Sequence, residues 1–171
     1  MASPAERDSA FVALGANLSG IYGDPLTTLK SVLAELALLS REALQVSPFY
    51  QSDPKDCPPG SPGYVNAVVR LVPLPGEDPF SLLHKLQNLE AQFGRVRSGI
   101  RNEARTLDLD LLTFGQEQIA IEVLVLPHPR AHERRFVLEP WLALAGAQWP
   151  LKGSTLGEWL DQCLDPPLVL L

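Results

Sequence analysis

The amino-acid sequence predicts an α+β fold whose first 115 residues run β-α-β-β-α-β, the order of a ferredoxin-like sheet. Three observations predict it. Apolar runs of strand length are bounded by turn residues. Two Asp-Pro pairs each open a stretch with leucines at helical spacing. The length of 171 residues suits one domain. We therefore expect a single domain over residues 10–165, two helices on one face of its sheet, C-terminal helical additions, and a disordered N-terminus over 1–9.

The first four elements follow in turn along the N-terminal part of the chain. An apolar run closed by glycine predicts a strand over residues 10–15. The Asp-Pro pair at 24–25 opens a helix, because proline fits the first helical position. Residues 43–51 predict a strand, and its proline places that strand at an edge or a bulge. The loop 52–63 is rich in proline and glycine, and residues 64–72 predict the next strand.

The second part of the chain completes the sheet and adds helices. A second Asp-Pro pair opens a helix over residues 80–93. A polar loop leads to a strand over 105–112. Residues 133–145 predict a helix despite an internal proline, and residues 154–164 predict a last helix with Ser154 as its N-cap.

Composition excludes several classes of protein. Apolar residues make up 46% of the chain, the net charge is −6 and the pI is about 5.0. An acidic protein is a poor electrostatic match for nucleic acid or an anionic membrane, so neither is an expected partner. Cys57 and Cys163 lack the spacing of a metal site and predict free thiols. No apolar run approaches the ~18 residues of a membrane span, and we expect a cytoplasmic protein.

The strand RTLDLDLL carries two aspartates in an apolar run. Strand alternation puts Asp108 and Asp110 on one face, ~6.6 Å apart along the chain, and turns the intervening leucines to the other face. Two such carboxylates can hold Mg²⁺, which takes oxygen ligands and often substrate phosphates as well. The alternative is a solvated face of a half-buried strand.

Arginines concentrate around this strand. Seven of the ten arginines lie in one stretch, namely Arg95, Arg97, Arg101, Arg105, Arg130, Arg134 and Arg135. Arginine suits bidentate phosphate contacts, so carboxylates and arginines together favour phosphoryl-group transfer. A surface cluster of salt bridges is the alternative. The chain has neither a Walker P-loop nor the glycine loop of protein kinases, so a nucleotide would be held without them.

Other polar residues are less specific. His128 lies between two prolines and can donate to a phosphate or ribose, but a structural role fits the spacing equally well. Gln87 and Glu90 share a helix face, which by itself is only a polar surface.

Several segments together resemble the 6-hydroxymethyl-7,8-dihydropterin pyrophosphokinases, enzymes of folate biosynthesis. ARTLDLDLL closely resembles the family signature, and FVALGANL resembles its first strand and turn. YVNAVV, LQNLEAQFGRVR and LPHPRAHERRFVLEPWLALA resemble further family segments. These matches cover most of residues 10–146 in the family's order. The resemblance implies a ferredoxin-like, three-layer α-β-α arrangement, in agreement with the element order.

The resemblance also implies a reaction. The pterin's hydroxymethyl oxygen would attack the β-phosphorus of ATP, giving AMP and the pterin diphosphate. Asp108 and Asp110 would hold two Mg²⁺ ions, while Arg95 and Arg105 would stabilise phosphate oxygens. The positions that match nucleotide contacts are Gln87, Glu90, Arg97, Leu111, His128 and Arg134. Those that match the pterin site are Ser52, Asp53, Tyr64, Asn66 and Phe136.

Two departures from the family pattern affect the loops. Many members carry Trp-Gly-Pro where this chain has Asn-Glu-Ala at 102–104, so we expect slower or looser lid closure, and Glu103 adds negative charge beside phosphate. Asp53 and Lys55 stand where the family usually has small or apolar residues.

Two other functions compete with this interpretation. A ferredoxin-like module that binds a nucleotide or anion without catalysis would keep the arginines but would not need both aspartates. RNA binding on the sheet is disfavoured, because the strands lack paired stacking aromatics and the protein is acidic.

Overall fold

The computed structural model describes residues 7–101 and 103–171. Most of the segment expected to be disordered, residues 1–6, and Asn102 of the lid departure lie outside the described residues. Within them the chain forms a mixed α/β fold. Its strands are β1 (Ala10–Ala16), β2 (Gln45–Val46), β3 (Tyr50–Ser52), β4 (Tyr64–Leu71), β5 (Asp108–Phe114), β6 (Ile119–Ile121), β7 (Leu124–Leu126), β8 (Pro150–Leu151), β9 (Ser154–Thr155) and β10 (Val169–Leu170). Its α-helices are α1 (Pro25–Ala37), α2 (Pro79–Gln92), α3 (Arg135–Ala145) and α4 (Leu156–Gln162).

The main sheet is antiparallel, with strand order β10-β3-β4-β1-β5, and β2 also pairs with β4. Side chains alternate across its two faces. Val12 and Leu14 of β1 join a core shared with α1 and α2, whereas Phe11 joins a second core with Val137 and Trp141 of α3. Helices therefore cover the sheet on both faces, and the second core places α3 over β1.

Local chemistry explains where the first two helices begin. Asp24 caps α1 by accepting a hydrogen bond from the Thr27 backbone N–H at 2.8 Å. Asp78 caps α2 in the same way by accepting the Ser81 N–H, and the Ser81 hydroxyl oxygen accepts the Asp78 N–H in return. Such caps satisfy N–H groups that have no partner within the helix. Both predicted Asp-Pro starts are confirmed.

Several predicted boundaries were wrong. The acidic strand, predicted over 105–112, spans Asp108–Phe114 as β5. The strand over 43–51 is divided into β2 and β3, because Ser47 and Pro48 interrupt it: the Ser47 hydroxyl, rather than a backbone carbonyl, accepts the Val68 N–H at 2.9 Å. Residues 133–145 become helical only from Arg135, after a short 3₁₀ turn. Ser154 is not the last N-cap. It lies in β9, and Thr155 caps α4 in a reciprocal pair of hydrogen bonds with Glu158.

Among the residues that the structure describes, no helix combines the length and the apolar character that crossing a bilayer requires.

Candidate active site

The acidic strand has the predicted alternation. Leu107, Leu109 and Leu111 are buried in the core shared with α1 and α2, and Leu112 packs in the core on the other face. Asp108 and Asp110 are only partly buried and open on that second face.

A row of residues across three strands creates space beside the carboxylates. Gly15 in β1 pairs with Asp108 on one side and with Asn66 of β4 on the other. Ala13, two residues earlier, pairs with Asp110. Residues paired in this way share a sheet face, so small side chains in the central strand leave a cleft between Asn66 and Asp108. A Cβ at Gly15 would lie 3.7 Å from the Asn66 amide oxygen.

Asp108 is held by two arginines. Its Oδ1 lies 2.6 Å from Arg95 and its Oδ2 lies 3.1 Å from Arg105. The same Arg95 guanidinium also bonds to Glu90, which is only 3% exposed. Glu90 in addition accepts the Leu109 N–H at 3.4 Å. Helix α2 and strand β5 are thus joined through a chain of alternating charges.

Asp110 has a different environment. Burial by the surrounding protein, together with the neighbouring Asp108 carboxylate, raises its pKa from 3.8 to about 7, even though Arg134 and Arg105 oppose the shift. Its side chain nevertheless keeps 34% exposure toward the cleft. A cation in the cleft would restore its ionised form.

His128 faces Asp110 as a neutral imidazole. Burial and nearby Arg134 lower its pKa to about 4. Its Nδ1 accepts the Arg130 backbone N–H at 3.2 Å, so the ring proton belongs on Nε2, which lies 4.0 Å from Asp110. His128 is therefore a neutral donor and not half of an ion pair.

Two clefts meet at the acidic pair. The first is lined by all five residues assigned to the pterin, Ser52, Asp53, Tyr64, Asn66 and Phe136. The second is lined by Gln87, Glu90, Arg95, Arg97 and His128. Both are lined by Arg105, Asp108, Asp110 and Arg134. A group bound in either cleft would therefore contact the same carboxylates.

The first cleft combines a buried amide with an aromatic wall. Asn66 is 2% exposed, and its Nδ2 donates to the Ser52 hydroxyl at 2.8 Å. That bond orients the amide, whose carbonyl and NH₂ can pair with a complementary ring edge. The Arg134 guanidinium lies 5.6 Å from the centre of the Phe136 ring.

Two predicted positions behave differently from the rest. Leu111 was assigned to the nucleotide, but its side chain is 3% exposed in the core, on the face opposite the aspartates. The Glu103 carboxylate accepts hydrogen bonds from the Ser98 N–H and hydroxyl, within its own loop. These bonds lower its pKa.

Asn17 connects the two loops that border the site. Its Oδ1 accepts the Arg105 N–H at 2.8 Å, and its Nδ2 donates to the Pro62 carbonyl at 3.2 Å. The sequence indicated Asn17 only within the resembling segment FVALGANL. Lys55, Asp56 and Cys57 also line the first cleft, and both cysteines are free thiols, as predicted.

The donor set fits a hard divalent cation. Two carboxylates two residues apart share a cleft, and the raised pKa of Asp110 marks a site where positive charge is favoured. The described residues contain no cluster of three or more His, Cys, Asp or Glu side chains suited to a metal. Magnesium often binds through one or two carboxylates together with substrate phosphates and water, and that is the kind of ligand set this cleft provides.

Comparison with known proteins identifies the family. The family model of 7,8-dihydro-6-hydroxymethylpterin-pyrophosphokinase matches residues 11–146. A pyrophosphokinase of that pterin from Haemophilus influenzae is 36% identical, covering 95% of this chain and 98% of the relative. One from Pseudomonas aeruginosa is 38% identical and covers 90% of each chain. This chain therefore belongs to the 7,8-dihydro-6-hydroxymethylpterin-pyrophosphokinase family.

Larger proteins contain the same unit. The folic acid synthesis protein fol1 of Pneumocystis carinii is 30% identical over 94% of this chain, which spans 21% of that protein. A crystal structure described as HPPK-DHPS in complex with substrates matches 90% of this chain and 44% of its own, with a TM-score of 0.68 at 11% identity. That likeness concerns the fold alone.

Proposed function

We propose that this protein transfers the pyrophosphoryl group of ATP to 6-hydroxymethyl-7,8-dihydropterin in folate biosynthesis, releasing AMP. The family assignment supports the reaction. One observation links this reaction to particular residues: two clefts meet at Asp108, Asp110 and Arg105. One cleft would hold the flat ring and the other the triphosphate, so the reacting groups would meet at the acidic pair.

The pterin side orients the attacking hydroxyl. Phe136 offers an aromatic face for stacking. Asn66, oriented by Ser52, pairs with the amide-like edge of the ring. A ring without that edge would leave the buried amide unpaired, which makes such a site selective.

The nucleotide side positions the phosphates. Arg95 and Arg105 turn from Asp108 to the phosphate oxygens, where their charge offsets the charge that develops during transfer. The pterin oxygen forms a bond to the β-phosphorus, and the bond from that phosphorus to the oxygen shared with the α-phosphate breaks. AMP leaves with that oxygen, and the hydroxyl proton passes to water. The neutral Nε2–H of His128 donates to the nucleotide.

Magnesium is the cofactor that these residues would hold. Asp108 and Asp110 would bind two Mg²⁺ ions, which when bound neutralise phosphate charge and act as Lewis acids. Deprotonated Asp110 is the binding form, so its raised pKa predicts weaker metal binding below about pH 7.

The fold supports the same assignment. The predicted order has four strands, which correspond to β1, the pair β2 and β3, β4 and β5. In the antiparallel sheet they lie side by side in the order β3-β4-β1-β5. We propose that this arrangement is ferredoxin-like, with α1 and α2 as the two helices on one face.

The test is the identity of the nucleotide product. We expect incubation with ATP, Mg²⁺ and 6-hydroxymethyl-7,8-dihydropterin to produce AMP and the pterin diphosphate in equal amounts. Reactions without the pterin or with a chelator should produce neither. ADP as the product would reject pyrophosphoryl transfer. Tight nucleotide binding without Mg²⁺ and without turnover would favour the binding module.

A further inference from the structure

The first cleft, proposed to bind the pterin, is called the pterin-side cleft, and the second the nucleotide-side cleft. The C-terminal segment contacts Lys55, which lines the pterin-side cleft, through one carboxylate. Asp165 Oδ1 accepts a hydrogen bond from Lys55 Nζ at 2.7 Å. Its Oδ2 accepts the backbone N–H of Arg135 at 3.1 Å, and its backbone carbonyl accepts from the Arg135 guanidinium at 3.0 Å. Lys55 also donates to the Glu133 carbonyl at 3.3 Å. A single side chain thus joins segments that are far apart in sequence.

These contacts are shielded from solvent. The side chain of Asp165 is 17% exposed and that of Lys55 is 33% exposed. Burial alone would raise the pKa of Asp165, but the bonds from Lys55 and the Arg135 N–H outweigh it, and the pKa is lowered. Partly buried, charge-assisted hydrogen bonds of this kind are stronger than ion pairs in open water.

The two partners of Asp165 belong to different segments beside the cleft. Lys55 lies in loop 53–63 and lines the cleft itself. Arg135 is the first residue of α3, directly before Phe136, which also lines the cleft. Asp165 therefore caps the start of α3 and holds the loop against it. This carboxylate and the Lys55–Glu133 bond together hold the loop near the start of α3.

A second ion pair acts on the same loop but is weaker. Arg130 reaches Asp56 at 3.3 Å, where the Asp56 side chain is 55% exposed. Solvent screens such a pair, so it cannot replace the Lys55–Asp165 contact.

We propose that Asp165 is a positioning residue for the pterin site, setting the width of the cleft by holding Lys55 against the start of α3. The proposal rests on the proposed function for the identity of the ligand. Loss of the contact should weaken pterin binding and leave the nucleotide side, which lies on the other side of the acidic pair, as it is.

The experiment compares Asp165→Asn with Asp161→Asn, a matched control on an exposed position of α4. Calorimetry would measure the dissociation constants of the pterin and of a non-hydrolysable ATP analogue with Mg²⁺. We expect Asp165→Asn to weaken pterin binding about five- to tenfold, less than a fully buried charged hydrogen bond would give, because Lys55 is partly exposed and asparagine keeps an acceptor oxygen. Analogue binding and kcat at saturating pterin should stay within about twofold, whereas KM for the pterin should rise.

Lys55→Met tests the contact independently. It removes the Lys55 ammonium group and leaves Asp165 to accept the Arg135 N–H. It should weaken pterin binding by a similar factor. The double variant should bind pterin only slightly less well than the worse single one, because both changes remove the same Lys55–Asp165 contact and only the Arg135 cap and the Lys55–Glu133 bond are lost separately.

Unchanged pterin affinity in both folded single variants would overturn the proposal. Equal weakening of both ligands would do so as well, because it would indicate a merely structural role. Wild-type protein that binds no pterin would contradict the proposed function. Wild type and variants that bind the pterin equally well would contradict only the role of Asp165.

Discussion

The two clefts that share Asp108 and Asp110 are stabilised by different kinds of contact. In the pterin-side cleft, Asn66 is oriented by Ser52, and the loop is held through Lys55. These bonds leave the aromatic wall and the acidic pair available. In the nucleotide-side cleft, Arg95 and Glu90 are bonded to each other, and Arg95 is bonded to Asp108 as well.

This difference indicates which cleft is formed before the substrates bind. Pterin binding as proposed would leave the Asn66–Ser52 and Lys55–Asp165 bonds in place. A nucleotide must draw the arginines away from Asp108, exchanging one set of charge pairs for another. We therefore expect ligand-induced rearrangement mainly on the nucleotide side.

The largest effect is expected at the junction of the clefts. Asp110→Ala removes one of the two carboxylates proposed to hold Mg²⁺, so AMP formation should fall on the order of 10²–10³-fold. Pterin binding measured without Mg²⁺ should change less than about threefold, because Asn66 and Phe136 are untouched. Asp161→Ala is the control for a lost exposed carboxylate. Turnover within a few-fold of wild type would contradict the metal role.

Short-range sequence signals predicted correctly which face of the strand carries the aspartates and where two helices begin. The period of two in RTLDLDLL placed both aspartates on one face, and the leucines are in the core as expected. The Asp-Pro pairs marked the starts of α1 and α2 because capping is a local interaction. The resemblance named residues that the structure gathers around two adjoining clefts.

Contacts between distant segments were not predictable from the sequence. Lys55 and Asp165 are 110 residues apart, and Asn17 meets Arg105 across 88 residues. No local pattern encodes such a pair, because it depends on how the complete fold brings loops together. The division of the strand predicted over 43–51 shows the same limit locally: Pro48 indicated an edge or a bulge, but nothing in the sequence indicated that the Ser47 hydroxyl would replace a backbone acceptor.

A smaller effect is expected within the nucleotide-side network. Glu90→Gln keeps the side-chain volume but leaves Arg95 with Asp108 as its charged partner. Binding of the ATP analogue with Mg²⁺ should weaken about tenfold, because Glu90 is a proposed nucleotide contact and Arg95 without it is held more firmly by Asp108. Pterin affinity should remain within about twofold. Glu117→Gln, at an exposed position, is the matched control, and equal weakening of both ligands would contradict the independence of the clefts.

The smallest effect concerns stability and pH. The folded pKa of Asp110 is raised from 3.8 to about 7, so between these values the folded state holds a proton that the unfolded state has released. Wild-type stability is therefore lost as pH rises through this window, and Asp110→Asn avoids that loss. Because 34% of the side chain is exposed, we discount the shift to about 1 kcal/mol, or roughly 2–4 °C in Tm.

The measurement is thermal unfolding with a chelator present, at pH 4 and at pH 8. Asp110→Asn should unfold at a higher temperature than wild type at pH 8 and at nearly the same temperature at pH 4, whereas Asp161→Asn should show no such pH-dependent difference. A variant less stable than wild type at pH 8 would mean that the arginines around the acidic pair already compensate Asp110 in the free protein. In that case the place where the clefts meet, at Asp108 and Asp110, would already be formed before ligands bind. Only the contacts among Glu90, Arg95 and Asp108 would then distinguish the nucleotide-side cleft from the pterin-side cleft.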